Sequence, residues 1–196
     1  MRFRARKVRG AWMIEGERVC YVGGRLKMAW QEAFQAFGLE GQPWERVLLV
    51  GMGASLMQIL ASTATPPLPQ VTVLEKYAEM VALQEAHCAL PLAYEVVLGD
   101  AAETIHQLYG EYSGIFVDAF EEESIPETLL SQRFVDTAVS LLAREGLIFW
   151  NVLLPAQARW VGERLSERLA EVRRWRWPPH TIWAGARFPE AFPTPA

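Results

Sequence analysis

The sequence predicts an α/β fold with a mostly parallel sheet of seven strands that ends in an antiparallel pair. Short apolar runs alternate with helical patterns from residue 47 to residue 170, which is typical of right-handed βαβ units. The first run, 47–50, is apolar throughout, as expected of a strand covered on both faces. Two further strand-like segments, 173–177 and 181–185, are joined by a short turn that contains two prolines, so they must be antiparallel, because parallel neighbours need a long crossover.

A short N-terminal extension precedes the sheet. Residues 10–23 alternate apolar and polar side chains around Glu15-Gly16, which predicts a β-hairpin. Residues 26–38 carry apolar side chains at helical spacing and end in a glycine, which predicts a helix. We therefore divide the chain into the extension, 1–40, and a main domain, 41–196. The basic first segment, MRFRARK, is predicted to be a solvated tail.

The main domain is predicted to contain five βα units before the terminal pair. Strands are expected over 47–50, 71–74, 95–98, 114–117 and 147–153. Helices are expected over 54–63, 77–88, 102–109 and 156–170. A further helix is predicted from Ser124 to about residue 143, because Ser124 and Glu127 can form a capping box and proline is tolerated in a first turn.

Composition narrows the classes of function. The chain has 196 residues, of which 51% are apolar and 21% charged, as in an ordinary soluble domain. A net charge of −4 lacks the basic excess typical of a nucleic-acid partner, and none is expected. Cys20 and Cys88 have no metal-site spacing, so we predict no metal and a reducing, cytoplasmic setting. We also expect neither a signal peptide nor a membrane span, since no apolar run reaches about 20 residues.

The carboxyl ends of the predicted parallel strands carry the residues that could bind a ligand. The first strand is followed by Gly51 and Gly53, and the next three by Glu75, Asp100 and Asp118. Glycine lets the backbone approach a ligand closely, and the next helix N-terminus presents free N–H groups. An acid about 20 positions later, Glu75, can accept hydrogen bonds from ribose hydroxyls, and Asp100 can accept one from an adenine amino group. Together these positions predict an adenosine-type ligand.

Each of these residues also has a structural interpretation when taken alone. The Gly-x-Gly segment could be only a tight turn, and Leu56 in place of a third glycine argues against a pyrophosphate ligand. Glu75 could be a solvated strand end, and Asp100 could cap the helix that follows it.

The acidic run 121–123 and the histidines leave alternatives open. The run could place favourable charge at a helix N-terminus, or form an acidic rim that attracts an amine substrate. His87 and His106 fall within predicted helices and His180 in the proline turn, and no metal-site spacing links them.

Residues 47–153 resemble the spermidine synthase family of aminopropyltransferases, within the Rossmann-like fold of class I S-adenosylmethionine-dependent methyltransferases. The matching stretches are VLLVGMGAS, VTVLEKYAEMV, EVVLGDAAE, and GIFVDAFEEESIPETLLSQRFV followed by LLAREGLIFWNVL. Upstream, MAWQEAF resembles the family's Tyr-Gln-Glu segment, with Trp30 in place of the tyrosine. The predicted hairpin resembles a shortened remnant of the family's N-terminal β domain.

The resemblance implies a role for each matching residue. Gly51 and Gly53 match the nucleoside loop, and Glu75 matches the ribose-binding acid. Asp100 and Ala101 match the adenine-contacting pair. Asp118 matches the first acid of the family's D-x-x-D segment, and Trp30 and Gln31 match positions on the side of the amine substrate. A homodimer is an assembly that the resemblance allows.

Two departures from the family pattern separate the functional hypotheses. Ala54 replaces the acid that holds the aminopropyl amine, and Glu121 stands at the second acid of D-x-x-D. The first hypothesis is aminopropyl transfer from decarboxylated S-adenosylmethionine to a di- or polyamine, with Asp118 and Glu121 orienting and deprotonating the amine. The second, favoured by Ala54, is methyl transfer from S-adenosylmethionine to an unknown acceptor. The third is a nucleoside-binding subunit without catalysis, and a dehydrogenase ranks last because the third glycine is missing.

Overall fold

The computed structural model describes residues 3–193, which form two β-sheets and the helices that cover them. The first sheet is antiparallel and consists of β1 (Arg4–Val8), β2 (Ala11–Glu15) and β3 (Cys20–Val22). Helix α1 (Gly24–Ala36) leads from this N-terminal sheet to the second, larger sheet.

The larger sheet has seven strands and is flanked by helices. Its strands are β4 (Arg46–Val50), β5 (Gln70–Glu75), β6 (Tyr94–Leu98), β7 (Tyr112–Val117), β8 (Leu142–Val152), β9 (Glu171–Trp177) and β10 (His180–Ala186). The further helices are α2 (Ala54–Thr63), α3 (Ala78–His87), α4 (Ala101–Thr104), α5 (Gln132–Ser140) and α6 (Pro155–Ser166), with 3-10 turns at Ile105–Gln107 and Pro189–Ala191. No helix within residues 3–193 is long and apolar enough to cross a membrane.

The strand order confirms the predicted fold. The order is β6-β5-β4-β7-β8-β10-β9, with parallel pairing from β6 to β8 and antiparallel pairing of β10 to both of its neighbours. The chain runs outward from β4 to β6, returns to β7 and continues the other way. The order therefore reverses between β4 and β7, which is where open α/β sheets bind ligands.

The central strand is apolar at successive positions because both faces of the sheet are covered. Val47 and Leu49 join the apolar layer under α1 and α2, while Leu48 and Val50 join the layer under α5 and α6. All four side chains are fully buried. Successive side chains of a strand point to opposite faces, so two covered faces require an unbroken apolar run.

The predicted helix start at Ser124 is wrong. Helix α5 begins at Gln132, after Ser131, whose hydroxyl accepts a hydrogen bond from the Phe134 N–H. The backbone of Ile125 is instead held by Gln157 of α6, whose side chain accepts from the Ile125 N–H and donates to its carbonyl, both at 3.0 Å. Residues 119–131 therefore form a loop, called here the cleft loop, at the carboxyl edge of the sheet.

The prediction of a solvated N-terminal tail is also wrong for the part of it that the structure describes. Its first two residues lie outside the described range, Phe3 is buried, and Arg4–Val8 pairs with β2 to add a third strand to the predicted hairpin. Three of the five residues of this edge strand are basic, and one of them, Arg6, forms an ion pair with Glu15 of the neighbouring strand. Cross-strand pairing of opposite charges explains why the strand carries so little apolar signal.

Candidate functional site

The carboxyl ends of β4 to β7 border a cleft with about 650 Å³ of space between atoms, part of it open to solvent. We call this space the strand-end cleft, and it lies where ligands bind in open α/β sheets. Seven of the nine residues that the sequence singled out line it: Gly51, Gly53, Glu75, Asp100, Ala101, Asp118 and Glu121. The structure thus brings together side chains from four strands and from the cleft loop.

The glycine turn after β4 is held in place by protein groups. Gly51 has φ +95° and Gly53 has φ +56°, both in the region that favours glycine. The Met52 N–H donates to Glu75 Oε2 at 2.9 Å, and the Ala54 N–H donates to the Gln84 side-chain oxygen at 2.8 Å. Two N–H groups that a phosphate would use are therefore already satisfied, which agrees with the missing third glycine.

Glu75 is a buried strand-end acid, not a solvated one. It is 7% exposed, and its other oxygen, Oε1, accepts a hydrogen bond from the Tyr77 N–H at 2.8 Å. Burial raises the pKa of Glu75, and the backbone N–H groups that it accepts from oppose this rise. Each carboxylate oxygen has room for a second donor, so the group can still accept from ligand hydroxyls.

Asp100 combines a structural role with a place in the cleft. Its Oδ1 accepts a hydrogen bond from the Ala102 N–H at 2.9 Å, which confirms the interpretation that Asp100 caps the following helix. Its Oδ2 lies 3.9 Å from Lys76 Nζ, and the residue lines the cleft beside Ala101. Capping uses one oxygen, so the second remains available to a ligand.

Asp118 lies where the glycine turn and β7 meet. Its Oδ2 accepts from Trp30 Nε1 at 3.0 Å and its Oδ1 from Asn151 Nδ2 at 2.8 Å. The residue keeps part of its surface open to the cleft, but protein encloses the carboxyl group on its other sides. This burial raises the pKa of Asp118 to about 6, against the two hydrogen bonds, which lower it.

Glu121 does not face the cleft as a free carboxylate. Its Oε1 accepts from Lys76 Nζ at 2.6 Å and from the Tyr77 hydroxyl at 3.1 Å. The hydrogen bond from Lys76 holds the pKa of Glu121 below its usual range, so the side chain is ionised at neutral pH. Lys76, which sequence reasoning did not single out, therefore places a positive charge at the mouth of the cleft.

The acidic run 121–123 is divided among three surroundings. Glu122, with φ +53°, turns to the N-terminal sheet, where its carboxylate accepts from the Glu17 N–H at 3.2 Å and the Arg18 N–H at 2.8 Å. Glu123 is exposed. Since α5 begins only at Gln132, the interpretation that this run stabilises a helix N-terminus is wrong.

Trp30 and Gln31 do not line the strand-end cleft. Trp30 is fully buried and reaches the site only through its hydrogen bond to Asp118. Gln31, the next residue along α1, is exposed, because neighbouring residues of a helix point about 100° apart. Within residues 3–193, no group of three or more His, Cys, Asp or Glu side chains is placed to hold a metal ion.

Solved structures of a spermidine synthase, a probable spermidine synthase and a methyltransferase-like protein share this fold. A probable spermidine synthase from Corynebacterium glutamicum has a TM-score of 0.74 at 16% identity, covering 95% of this chain and 77% of that one. A spermidine synthase in complex with the transition-state analogue AdoDATO has a TM-score of 0.73 at 13% identity, covering 93% and 69%. Human methyltransferase-like protein 13 in complex with SAH has a TM-score of 0.63 at 16% identity, covering 78% and 76%.

The sequence itself matches no protein-family model and no curated protein. At identities of 13–16% the structural likeness shows the fold, and it confirms the predicted Rossmann-like arrangement common to spermidine synthases and methyltransferases.

Replacing Gly51 with alanine is expected to destabilise the protein more than replacing Gly41. Both glycines have a positive φ, which costs alanine about 1–2 kcal/mol. A Cβ at Gly51 would lie 2.6 Å from the Asp118 carbonyl oxygen, whereas one at Gly41 would have no atom within 4 Å. We expect a further loss of about 1–3 kcal/mol in the free energy of unfolding of Gly51→Ala, measured by denaturant titration. Equal losses in the two variants would contradict the close approach of β4 and β7.

The pKa of Asp118 predicts a specific pH dependence of stability. A carboxyl group whose folded pKa is about 6, against about 4 when unfolded, stabilises the fold below pH 4. That contribution, up to about 3 kcal/mol, is lost as the pH rises through 6. Asp118→Asn should remove this part of the pH dependence between pH 4 and 7, measured by urea unfolding. Asp136→Asn, an exposed control on α5, should retain it; the same profile in wild type and Asp118→Asn would show that the shift is absent.

Proposed function

We propose that this chain is an alkyltransferase that binds S-adenosylmethionine or its decarboxylated form in the strand-end cleft. The observation that carries the proposal is the meeting of the glycine turn with Glu75, Asp100 and Asp118 where the strand order reverses. Neighbours with this fold that were crystallised with SAH and with AdoDATO support the same class of ligand.

The arrangement of the acids favours a nucleoside over a dinucleotide. Glu75 retains acceptor capacity for the two ribose hydroxyls, and Asp100 retains one oxygen for an adenine amino group. The Met52 and Ala54 N–H groups are occupied by side chains of the protein itself, which leaves the turn poorly suited to a pyrophosphate.

The charge of the cleft favours a cationic donor. Its lining includes four carboxyl groups, from Glu75, Asp100, Asp118 and Glu121, against the single ammonium of Lys76. A concave site with an excess of one sign of charge concentrates ligands of the opposite sign. A sulfonium carries a positive charge and loses it when its carbon group leaves.

Within this class we propose aminopropyl transfer to a di- or polyamine as the reaction. A free amine has a pKa near ~10, so the nitrogen must lose a proton before it can attack. We assign to Asp118, whose pKa is raised to about 6, the role of accepting that proton. Glu121 already binds the ammonium of Lys76, and we assign to it the binding of a substrate ammonium in place of that group. The nitrogen lone pair then forms the C–N bond as the C–S electron pair moves to sulfur. Positioning the two reactants in line supplies most of the acceleration.

Methyl transfer from S-adenosylmethionine is the second candidate, and Ala54 is the observation that favours it. This residue opens α2 without an acid, and the N-cap of that helix is a glycine with no side-chain oxygen. A ligand carboxylate near this turn would meet no like charge from Ala54. The parent compound carries such a carboxylate and the decarboxylated form does not.

Calorimetric titration with S-adenosylmethionine, its decarboxylated form and NAD should distinguish these possibilities. We expect both sulfonium compounds to bind and NAD not to bind, because the glycine turn offers few free N–H groups. Tighter binding of the decarboxylated form supports aminopropyl transfer, and tighter binding of the parent supports methyl transfer. Binding without transfer to any amine would indicate a nucleoside-binding subunit, and binding of NAD alone would overturn the proposal.

Glu121→Gln should lower the rate of transfer to 1,4-diaminobutane about 100-fold, as expected for loss of a hydrogen bond between charged groups. The variant removes the negative charge that would hold the substrate ammonium but keeps a side chain of nearly the same shape. Glu127→Gln makes the same change on an exposed residue of the cleft loop that does not line the cleft, and it should retain wild-type turnover. Unchanged turnover in Glu121→Gln would remove that residue from the mechanism.

A further inference from the structure

A second cavity adjoins the strand-end cleft. The two share Phe120 of the cleft loop, and the second cavity encloses about 1,300 Å³ of space, part of it open to solvent. Its walls come from the β2–β3 loop, the start of α1, the residues after β8 and the beginning of β10. His180, the first residue of β10, forms part of the wall and is 7% exposed.

A chain of hydrogen bonds connects this wall to the strand-end cleft. Asn151, fully buried near the end of β8, donates from Nδ2 to Asp118 Oδ1 at 2.8 Å. The Oδ1 atom of Asn151 lies 3.1 Å from His180 Nδ1. The chain thus crosses three strands, β7, β8 and β10, at the carboxyl edge of the parallel strands.

The chemistry of the chain determines which nitrogen of His180 carries a proton. An ionised carboxylate only accepts hydrogen bonds, so the side-chain NH₂ of Asn151 must face Asp118 and its oxygen must face His180. That oxygen requires a donor, which makes Nδ1 the protonated nitrogen of the ring. The other nitrogen, Nε2, then carries a lone pair. Among residues 3–193, the buried polar atoms without a partner do not include Nε2, so this nitrogen is not sealed in the interior without a hydrogen bond. We therefore assign Nε2 to the second cavity.

We propose that the second cavity holds the nucleophile of the transfer reaction and that His180 Nε2 accepts a hydrogen bond from its N–H group. This inference rests on the proposed alkyl transfer, because it assigns the nucleophile of that reaction to a place beside the donor. The hydrogen bond fixes one N–H of the amine and leaves its lone pair free to point at the carbon next to sulfur. Asp118 has by then taken one proton from the substrate ammonium, as proposed above. As the C–N bond forms, the C–S electron pair goes to sulfur, and the product leaves as an ammonium that carries the remaining N–H protons.

The surroundings of His180 keep the ring neutral. Burial and the nearby Arg25 guanidinium lower the pKa of His180 to about 4. Arg25 donates to the Pro178 carbonyl at 2.6 Å and lies 4.7 Å from the Trp177 ring centre, so it is held in place. The other charged groups that line the second cavity are Glu15, Glu17, Arg18 and Glu123. A neutral imidazole with Nε2 unprotonated accepts a hydrogen bond from an amine and does not repel it.

The tautomer can be tested on the wild-type protein by NMR of ¹⁵N-labelled histidine. The chain has only three histidines, and His180→Gln identifies the signal of His180 by its loss. We expect Nδ1 to carry the proton and Nε2 to have the shift of a bare nitrogen at pH 7. The opposite tautomer overturns the proposal, whether or not any nucleoside donor binds, so this result is independent of the proposed transfer function. Asn151→Leu should abolish the preference for Nδ1–H.

The binding role can be tested with 1,4-diaminobutane as the probe, with and without the bound donor. We expect a saturable shift of the His180 Nε2 signal and about tenfold weaker binding in His180→Phe. His106→Phe, an exposed control on a 3-10 turn, should bind like wild type. An unmoved Nε2 signal at millimolar 1,4-diaminobutane overturns the binding role, even if the calorimetric titration shows that the donor binds.

Discussion

A carboxylate removed from bulk water needs hydrogen-bond donors, and Asp118 obtains its two from separate elements of the fold. Trp30 reaches it from α1 and Asn151 from β8, while its own backbone N–H pairs with Val50 at the end of β4. The N-terminal helix, the glycine turn and the antiparallel half of the sheet are therefore positioned with respect to one side chain. Losing either donor would leave a polar group unsatisfied, which is costly at a site where water cannot fully replace it.

The ion pair between Lys76 and Glu121 plays a different role, because it joins two segments at the mouth of the strand-end cleft. Both side chains are more than one-third exposed, so the pair contributes little to the stability of the fold. Its importance is local. It keeps Glu121 ionised, and under the proposed mechanism a substrate ammonium takes the place of the Lys76 ammonium.

The parts of the fold that follow from local pattern could be predicted from the sequence. Strand β4 and helix α2 lie where the apolar run and its glycine break place them, and the strand-end acids converge because a parallel sheet brings its carboxyl ends together. The helix predicted from Ser124 does not form there, although Ser124 and Glu127 match a local capping pattern. A tertiary contact replaces it, because the Gln157 side chain binds both the N–H and the carbonyl of Ile125. The assignment of Gln31 to the site failed because of its position around α1. The buried residues on either side of it define the inner face of the helix, and Gln31 lies on the outer face.

The hydrogen-bond chain around Asp118 could not be predicted in this way. Trp30 stands 88 residues before Asp118 and Asn151 stands 33 after it, and neither has a local pattern that marks it as a partner. The pairing of β7 with β8 brings Asn151 to Asp118, and the packing of α1 against the sheet brings Trp30 there. Such contacts depend on which strands become neighbours, and no periodicity in the chain encodes the three-dimensional position of a single polar side chain.

The carboxylate of Glu122 joins the cleft loop to the β2–β3 loop, so this contact must break when the two loops separate. The amides of Glu17 and Arg18 donate to a side chain of the cleft loop and not to a strand of their own sheet. They become available to solvent deuterium only when Glu122 releases them, that is, when the cleft loop parts from the N-terminal sheet. The exchange rates of these two amides therefore measure the opening of the loop that both cavities share, at a distance from any ligand.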